Sequence, residues 1–227
     1  MTVSIHVLSS MATRQVLGEL AVAFESRSGL SVRVESVGGV DAAKRVRAGE
    51  TFDVVVLASN VIDALIAEGH LAGERSDLVT SAIGIGVRAG SVHPDIGSAA
   101  AVQHAVLAAG RIGYSTGPSG TYLAKLFEQW GIGAAVKDKT VVAPPGVPVT
   151  SLVASGEVDL GFQQLSELAG DGVEVVGSLP DEIQSLTTFS GGVARTSPQP
   201  EDARALLRFM TMPEVTDIKR RHLMNVP

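Results

Sequence analysis

The chain has 227 residues, 45% of them hydrophobic, no cysteine, and a formal net charge of −6. That length and apolar content suffice for one compact core or two small ones. The missing cysteines exclude a disulfide framework, a thiolate metal site and a cysteine nucleophile, and the acidic balance argues against a nucleic-acid partner, whose phosphates need a basic face. A small anion remains compatible, because a local site can be positive on an acidic protein.

Abundant glycine and scarce aromatics, 25 residues and 4%, suit a layered α/β core of Val, Ile, Leu and Ala. Residues 3–8 read as a buried strand, and 12–28 as an amphipathic helix with Val16, Leu17, Leu20, Ala23 and Phe24 on one face, ended by Gly29. A strand over 30–37, a turn at Gly38-Gly39, a helix over 41–49, a strand over 53–57 and a helix over 60–68 follow. This βαβαβα run implies a parallel sheet with right-handed crossovers. Near residue 80 the rhythm changes, and a strand over 82–87 carries the chain into a second lobe. Helix 98–109, strand 111–114, helix 120–130, strand 141–143, helix 148–155 and strands 160–163 and 173–176 make up that lobe. Residues 183–195 read as an extended return, followed by helix 200–211 and a shorter one over 214–222. The expected fold is therefore two-lobed α/β, each lobe a mostly parallel sheet flanked by helices, with two extended crossings between them. Lobe 1 comprises 1–80 and 191–227, and lobe 2 comprises 81–190. Ligands bind between lobes joined in this way.

Three strand-to-helix junctions are rich in hydroxyl residues, the last two with Gly beside them: Ser9, Ser10 and Thr13; Ser36 and Gly38; and Ser115, Gly117, Ser119, Gly120, Thr121 and Tyr122. The first N–H groups of a helix lack intrahelical partners and carry the positive end of its dipole, so such junctions can hold an anion. The plainer alternative is that each hydroxyl only caps its helix. Arg14, about one turn into the first helix, offers a bidentate contact to a carboxylate, with a solvated surface role as the alternative. Arg88 is a weaker candidate of the same kind. Gln163 and Gln164 end a strand on opposite faces, so one of them points to the ligand. The five histidines show no metal-type spacing, and no cofactor is called for. No apolar run approaches the ~20 residues that span a bilayer. Met1 leads straight into a strand without a secretory leader, so the sequence as written reads as cytoplasmic, or as periplasmic if an export segment has been removed.

Several stretches, in this order and spacing, resemble the molybdate-binding branch of the type 2 periplasmic binding proteins: Val7-Leu8-Ser9-Ser10, Ser36-Val37-Gly38-Gly39, Phe52-Asp53-Val54, Ser151 to Gly161, and Leu207 to Pro213. The resemblance implies a small anionic ligand held by serines at Ser9 or Ser10 and at Ser36, and by backbone amides of later helix starts, Val147 included. It also implies an ABC permease as partner if the protein is exported. Gln164 stands where that branch places a ligand-binding tyrosine. This departure, the hydroxyl-rich third loop and Arg14 favour an organic acid over molybdate. The branch is also similar to aconitate isomerase, which moves a double bond in an unsaturated tricarboxylate. For that alternative function the acid–base candidates are His6, Glu35 and Tyr114, although a histidine in a core strand is more often simply buried.

Overall fold

The structure is a computed structural model that describes residues 4–144 and 147–227. Val3, the first residue of the expected opening strand, lies outside them. The first stretch of chain runs β1 (Ser4–Ser10), α1 (Arg14–Ser28), β2 (Ser31–Val37), α2 (Gly39–Arg47), β3 (Val54–Ala58), α3 (Ser59–Ala67) and β4 (Leu71–Ser81). The next runs β5 (Ile83–Arg88), α4 (Ala99–Ala108), β6 (Ile112–Ser115), α5 (Pro118–Gln129), α6 (Gly133–Val136), β7 (Thr140–Ala143), α7 (Val149–Ala154), β8 (Leu160–Gln164) and β9 (Val173–Ser178). The chain then returns through β10 (Thr187–Ala194), α8 (Pro200–Met210) and α9 (Thr216–Arg221).

Two compact units result, one ending at Ser81 and resuming at Thr187, the other spanning Ala82–Leu186. The return therefore comes earlier than the expected boundary at 190/191. The reason is that Thr187 and Thr188 already pair with Ser81 and Thr80.

Unit 1 holds a sheet of order β2-β1-β3-β10-β4. β1 runs parallel to β2 and β3, whereas β10 is antiparallel to both β3 and β4, so β10 alone is reversed. Unit 2 holds a sheet of order β7-β6-β8-β5-β9, in which β5 alone is reversed. In each sheet the reversed strand is the one that follows a crossing from the other unit.

The central strands are apolar on both faces because helices cover both. In unit 1, Val54 and Val56 face Leu17, Leu20 and Phe24 of α1 and Leu206 of α8. Their neighbours Val55 and Leu57 face Ala42 and Val46 of α2 and Leu65 of α3, the alternation expected of a strand buried on two sides. In unit 2, Ile85 and Phe162 pack with Val102 of α4 and Phe127 of α5, while Val149 and Val153 of α7 cover the opposite face. Gly161 makes that second contact possible: a Cβ there would lie 2.3 Å from a Val153 methyl.

A polar clamp secures each unit. In unit 1 the buried Asp53 carboxylate accepts from the His6 N–H at 2.8 Å, the Gln199 side-chain amide at 2.9 Å, and the Ser197 hydroxyl. It thereby ties the segment before α8 to β1. In unit 2 Gln184 accepts from Ile83 N–H at 2.8 Å and donates to the Ile83 and Leu179 carbonyls, both at 3.1 Å. Asp53→Ala would strand three half-buried donors, and we expect it to lower unfolding free energy by about 2–3 kcal/mol, measured by urea denaturation at neutral pH.

Candidate functional site

A side-chain cap is seen at α4, one of the helix starts that carry a hydroxyl residue. There Ser98 accepts from the Ala101 N–H at 3.2 Å, an ordinary side-chain cap. The starts of α1, α2 and α5, by contrast, have Thr13, Gly38 and Gly117 in the cap position and no side-chain cap hydrogen bond. Their first-turn donors therefore have no side-chain acceptor of that kind.

In unit 1 the loops at 9–14 and 36–39 meet. β1 and β2 pair in register with Ser9 opposite Ser36, and the two hydroxyls lie 2.8 Å apart. Ser10, next along, is 7% exposed, and its hydroxyl has no hydrogen-bond partner among the described residues. Its Cβ sits 3.9 Å from where a Cβ on Gly39, the first residue of α2, would be. Thr13 turns inward and donates to the Ser10 carbonyl at 3.1 Å. Arg14 is exposed at the first residue of α1. An unpaired buried hydroxyl costs about 1–3 kcal/mol, and here it lies beside an uncapped helix start. That combination suits an oxyanion that would accept from both.

In unit 2 the loop after β6 is tightly built. The Ser115 hydroxyl accepts from Gly117 N–H at 3.3 Å, and α5 approaches so closely that a Cβ on Gly120 would fall 1.7 Å from the Ser115 carbonyl oxygen. Only glycine fits there. Ser119 is buried. Thr121 and Tyr122 spend their hydroxyls inside the unit, on the Gly117 carbonyl at 3.2 Å and the Ile183 carbonyl at 2.9 Å. Val147 is exposed and donates its N–H to Pro144 at 3.0 Å. Gln164 ends β8, almost fully buried. Its neighbour Gln163 turns the other way and accepts from Val149 N–H, the first of α7, at 3.2 Å.

Gln163 also hydrogen-bonds Glu167, a residue absent from the sequence expectations. Burial pushes the Glu167 carboxyl up to about 7, partly opposed by the Gln163 bond. The expected acid–base candidates behave differently. His6 Nε2 lies 3.3 Å from Glu35, which is also paired with Arg45, and the Arg45 hydrogen bond holds the Glu35 carboxyl below its usual range. Burial pushes the Tyr114 phenol up, so it stays protonated. Arg88 ends β5 and pairs with Val173, at the opposite end of the sheet from the pairing of Ile83 with Gln164. It lines a separate surface cavity of about 830 Å³ with His104 and Asp159.

Two five-stranded sheets of one topology, each with a single reversed strand after a crossing, define the type 2 periplasmic-binding-protein fold. The chain belongs to the bacterial extracellular solute-binding protein family, whose profile matches residues 5–224. An aconitate isomerase from Pseudomonas sp. is 36% identical over 215 residues, covering 91% of this chain and 82% of that protein. Among solved structures, the periplasmic molybdate-binding protein of Azotobacter vinelandii superposes with a TM-score of 0.80 at 19% identity, covering 98% of this chain and 99% of that one. The sulfate-binding protein of Mycobacterium tuberculosis gives a TM-score of 0.77 at 17% identity, covering 97% and 86%. Among the described residues no helix is long and apolar enough to cross a membrane, and no group of three or more His, Cys, Asp or Glu could hold a metal ion.

The Glu167 shift has a consequence for stability. Its folded value, about 7, lies above the ordinary 4.5, so the folded state binds this proton more tightly. The stability so gained is fully present below the unfolded value and is lost as pH rises through the folded one. Glu167→Gln should therefore raise the melting temperature relative to the parent at pH 8 and bring no comparable gain at pH 4.5, as read by thermal denaturation across that range.

Proposed function

We propose that the chain binds a small organic polycarboxylate between its two units, with uncapped helix starts and small hydroxyls supplying the donors. The observation that carries this reading is the buried, unpartnered Ser10 hydroxyl beside the start of α2. Ser9, Ser36, Gly38 and Arg14 belong to the same half of the proposed site. Ser115, Gly117, Ser119, Gly120 and Gln164 are assigned to the other half, through hydroxyls, one side-chain amide and backbone N–H groups, whereas Val147 only lines it, its N–H being engaged by Pro144. Thr121 and Tyr122 shape that half, since their hydroxyls are already engaged. An exposed arginine at the first helix start, with an amide in place of an aromatic hydroxyl at Gln164, favours carboxylates over a tetrahedral metal oxyanion.

A second reading is favoured by the 36% identity to an aconitate isomerase along nearly the whole chain. In it the same cleft shifts the double bond of an unsaturated tricarboxylate. In the pure binding reading an ABC permease is the partner and the protein works outside the cytoplasm. In the isomerase reading no permease is needed.

A thermal-shift panel of molybdate, tungstate, sulfate, citrate and the two aconitates tests the binding reading. A tricarboxylate at 100 times its dissociation constant should stabilise by about 2.7 kcal/mol, and no shift with any anion at millimolar concentration would remove it. Ser10→Ala provides a sharper check by calorimetric titration. Without ligand the variant should be as stable as the parent or slightly more so, because a buried orphan is removed. Its affinity should fall by roughly tenfold to a hundredfold, the worth of one hydrogen bond to a charged group.

A further inference from the structure

We propose that unit 2 carries a second binding site, separate from the helix-start loops and independent of the polycarboxylate reading, for an α-amino acid with an apolar side chain. The surface cavity of about 830 Å³ that holds Arg88, His104 and Asp159 is lined wholly by residues of this unit. Its size falls within the range of small-molecule sites, roughly 300–1,000 Å³. The fold shapes it in two ways. α4 turns Ala101, Ala105 and Ala108 toward it, spaced so that they share one helix face, and their short side chains leave the space open. The buried Val87, Val158 and Leu160 complete an apolar wall.

The charged groups set the ligand class. β5 and β8 pair as far as Gly86 opposite Gly161, and Arg88 and Asp159 each lie two residues past that pair, one on either segment. Both line the cavity, yet they form no ion pair with each other. Among the described residues the Arg88 guanidinium has no hydrogen bond or ion pair. It lies against Gly156, 3.3 Å from where a Cβ there would stand, just past the end of α7. It does not donate to the last carbonyls of that helix, the partners a purely structural arginine would take. Asp159 Oδ2 accepts from the Arg111 N–H at 2.9 Å, which holds the carboxylate in place and leaves its other oxygen without a hydrogen bond among the described residues. Asp95, also on the wall, accepts from the Gly97 N–H at 2.9 Å. A simple anion would meet two carboxylates for one guanidinium, and a simple cation would leave Arg88 unmatched. A ligand with a carboxylate and an ammonium on one carbon offers each charge its opposite. The carboxylate takes the Arg88 fork, the ammonium donates to Asp159, and the side chain covers the apolar wall.

The test is calorimetric titration of the full chain with L-leucine, alongside 4-methylpentanoate, which lacks the ammonium, and leucine methyl ester, which lacks the free carboxylate. Leucine should bind, and each analogue should bind about tenfold more weakly or worse. Arg88→Met, which keeps the stem, should weaken leucine by about 10–100-fold, and Asp159→Asn, which keeps an acceptor for the Arg111 N–H, by about tenfold. Ala108→Trp, at the exposed last residue of α4, should fill the cavity and abolish binding, and it decides the matter if Arg88→Met does not fold. Ser10→Ala, in the other unit, should bind leucine as the parent does. No heat with leucine, methionine or phenylalanine at millimolar concentration overturns the proposal. So does leucine binding that Arg88→Met and Ala108→Trp leave within about twofold of the parent, or 4-methylpentanoate binding as tightly as leucine. Loss of leucine binding in Ser10→Ala but not in Arg88→Met assigns the amino acid to the helix-start loops and overturns it too.

Discussion

Backbone donors at the start of a helix must find acceptors somewhere, and the proposed function depends on how they are satisfied at α1, α2 and α5. At α4 a serine side chain closes the helix start. At α1, α2 and α5 the hydroxyls that could do the same are turned elsewhere: Ser9 and Ser36 bond each other, Thr13 and Thr121 bond backbone carbonyls, and Ser10 has no hydrogen-bond partner among the described residues. A folded chain tolerates such open donors when an acceptor arrives from outside. An anion with several oxygens satisfies that need without a dense cluster of positive side chains, which is why an acidic protein can take one.

The duplicated sheet explains how two such sets of helix starts arise. Parallel strands send their C-terminal ends, and hence the starts of the helices that follow, to one edge of each sheet. The single reversed strand in each sheet is what allows the chain to enter from that edge and later leave. Gln184 fixes β5 beside the crossing into unit 2, and Asp53 ties β1 to the segment that follows β10 at the other end of the unit 1 sheet. The geometry of each unit is thus secured by a polar clamp of its own.

Much of this was legible in the residues because local signals carried it. Gly29 takes the left-handed conformation expected after α1, the apolar run at β3 is buried on both faces, and the hydroxyl-rich junctions stand at strand ends. β4 was not legible. Its first half, Gly73-Glu74-Arg75-Ser76-Asp77, looks like a solvated turn, and it becomes strand only because β10, more than a hundred residues away, pairs with it. Gln163 was overlooked in favour of Gln164, since choosing between two adjacent amides needs the position of α7. Glu167 was missed because a lone acid after a strand carries no sequence signature of its surroundings. Its environment is made by burial and by the Gln163 side chain, whose own position is set by α7.

The threading of unit 1 also bears on how the chain is made. The strand that joins β3 to β4 is β10, supplied by Thr187–Ala194, whereas unit 2 is one continuous segment, Ala82–Leu186. During synthesis the first eighty or so residues must wait, with one edge of β3 unsatisfied, until the inserted unit has emerged and closed on itself. Nascent unit 1 is therefore the natural client of a chaperone, and a chain halted before β10 would expose that unpaired edge to aggregation.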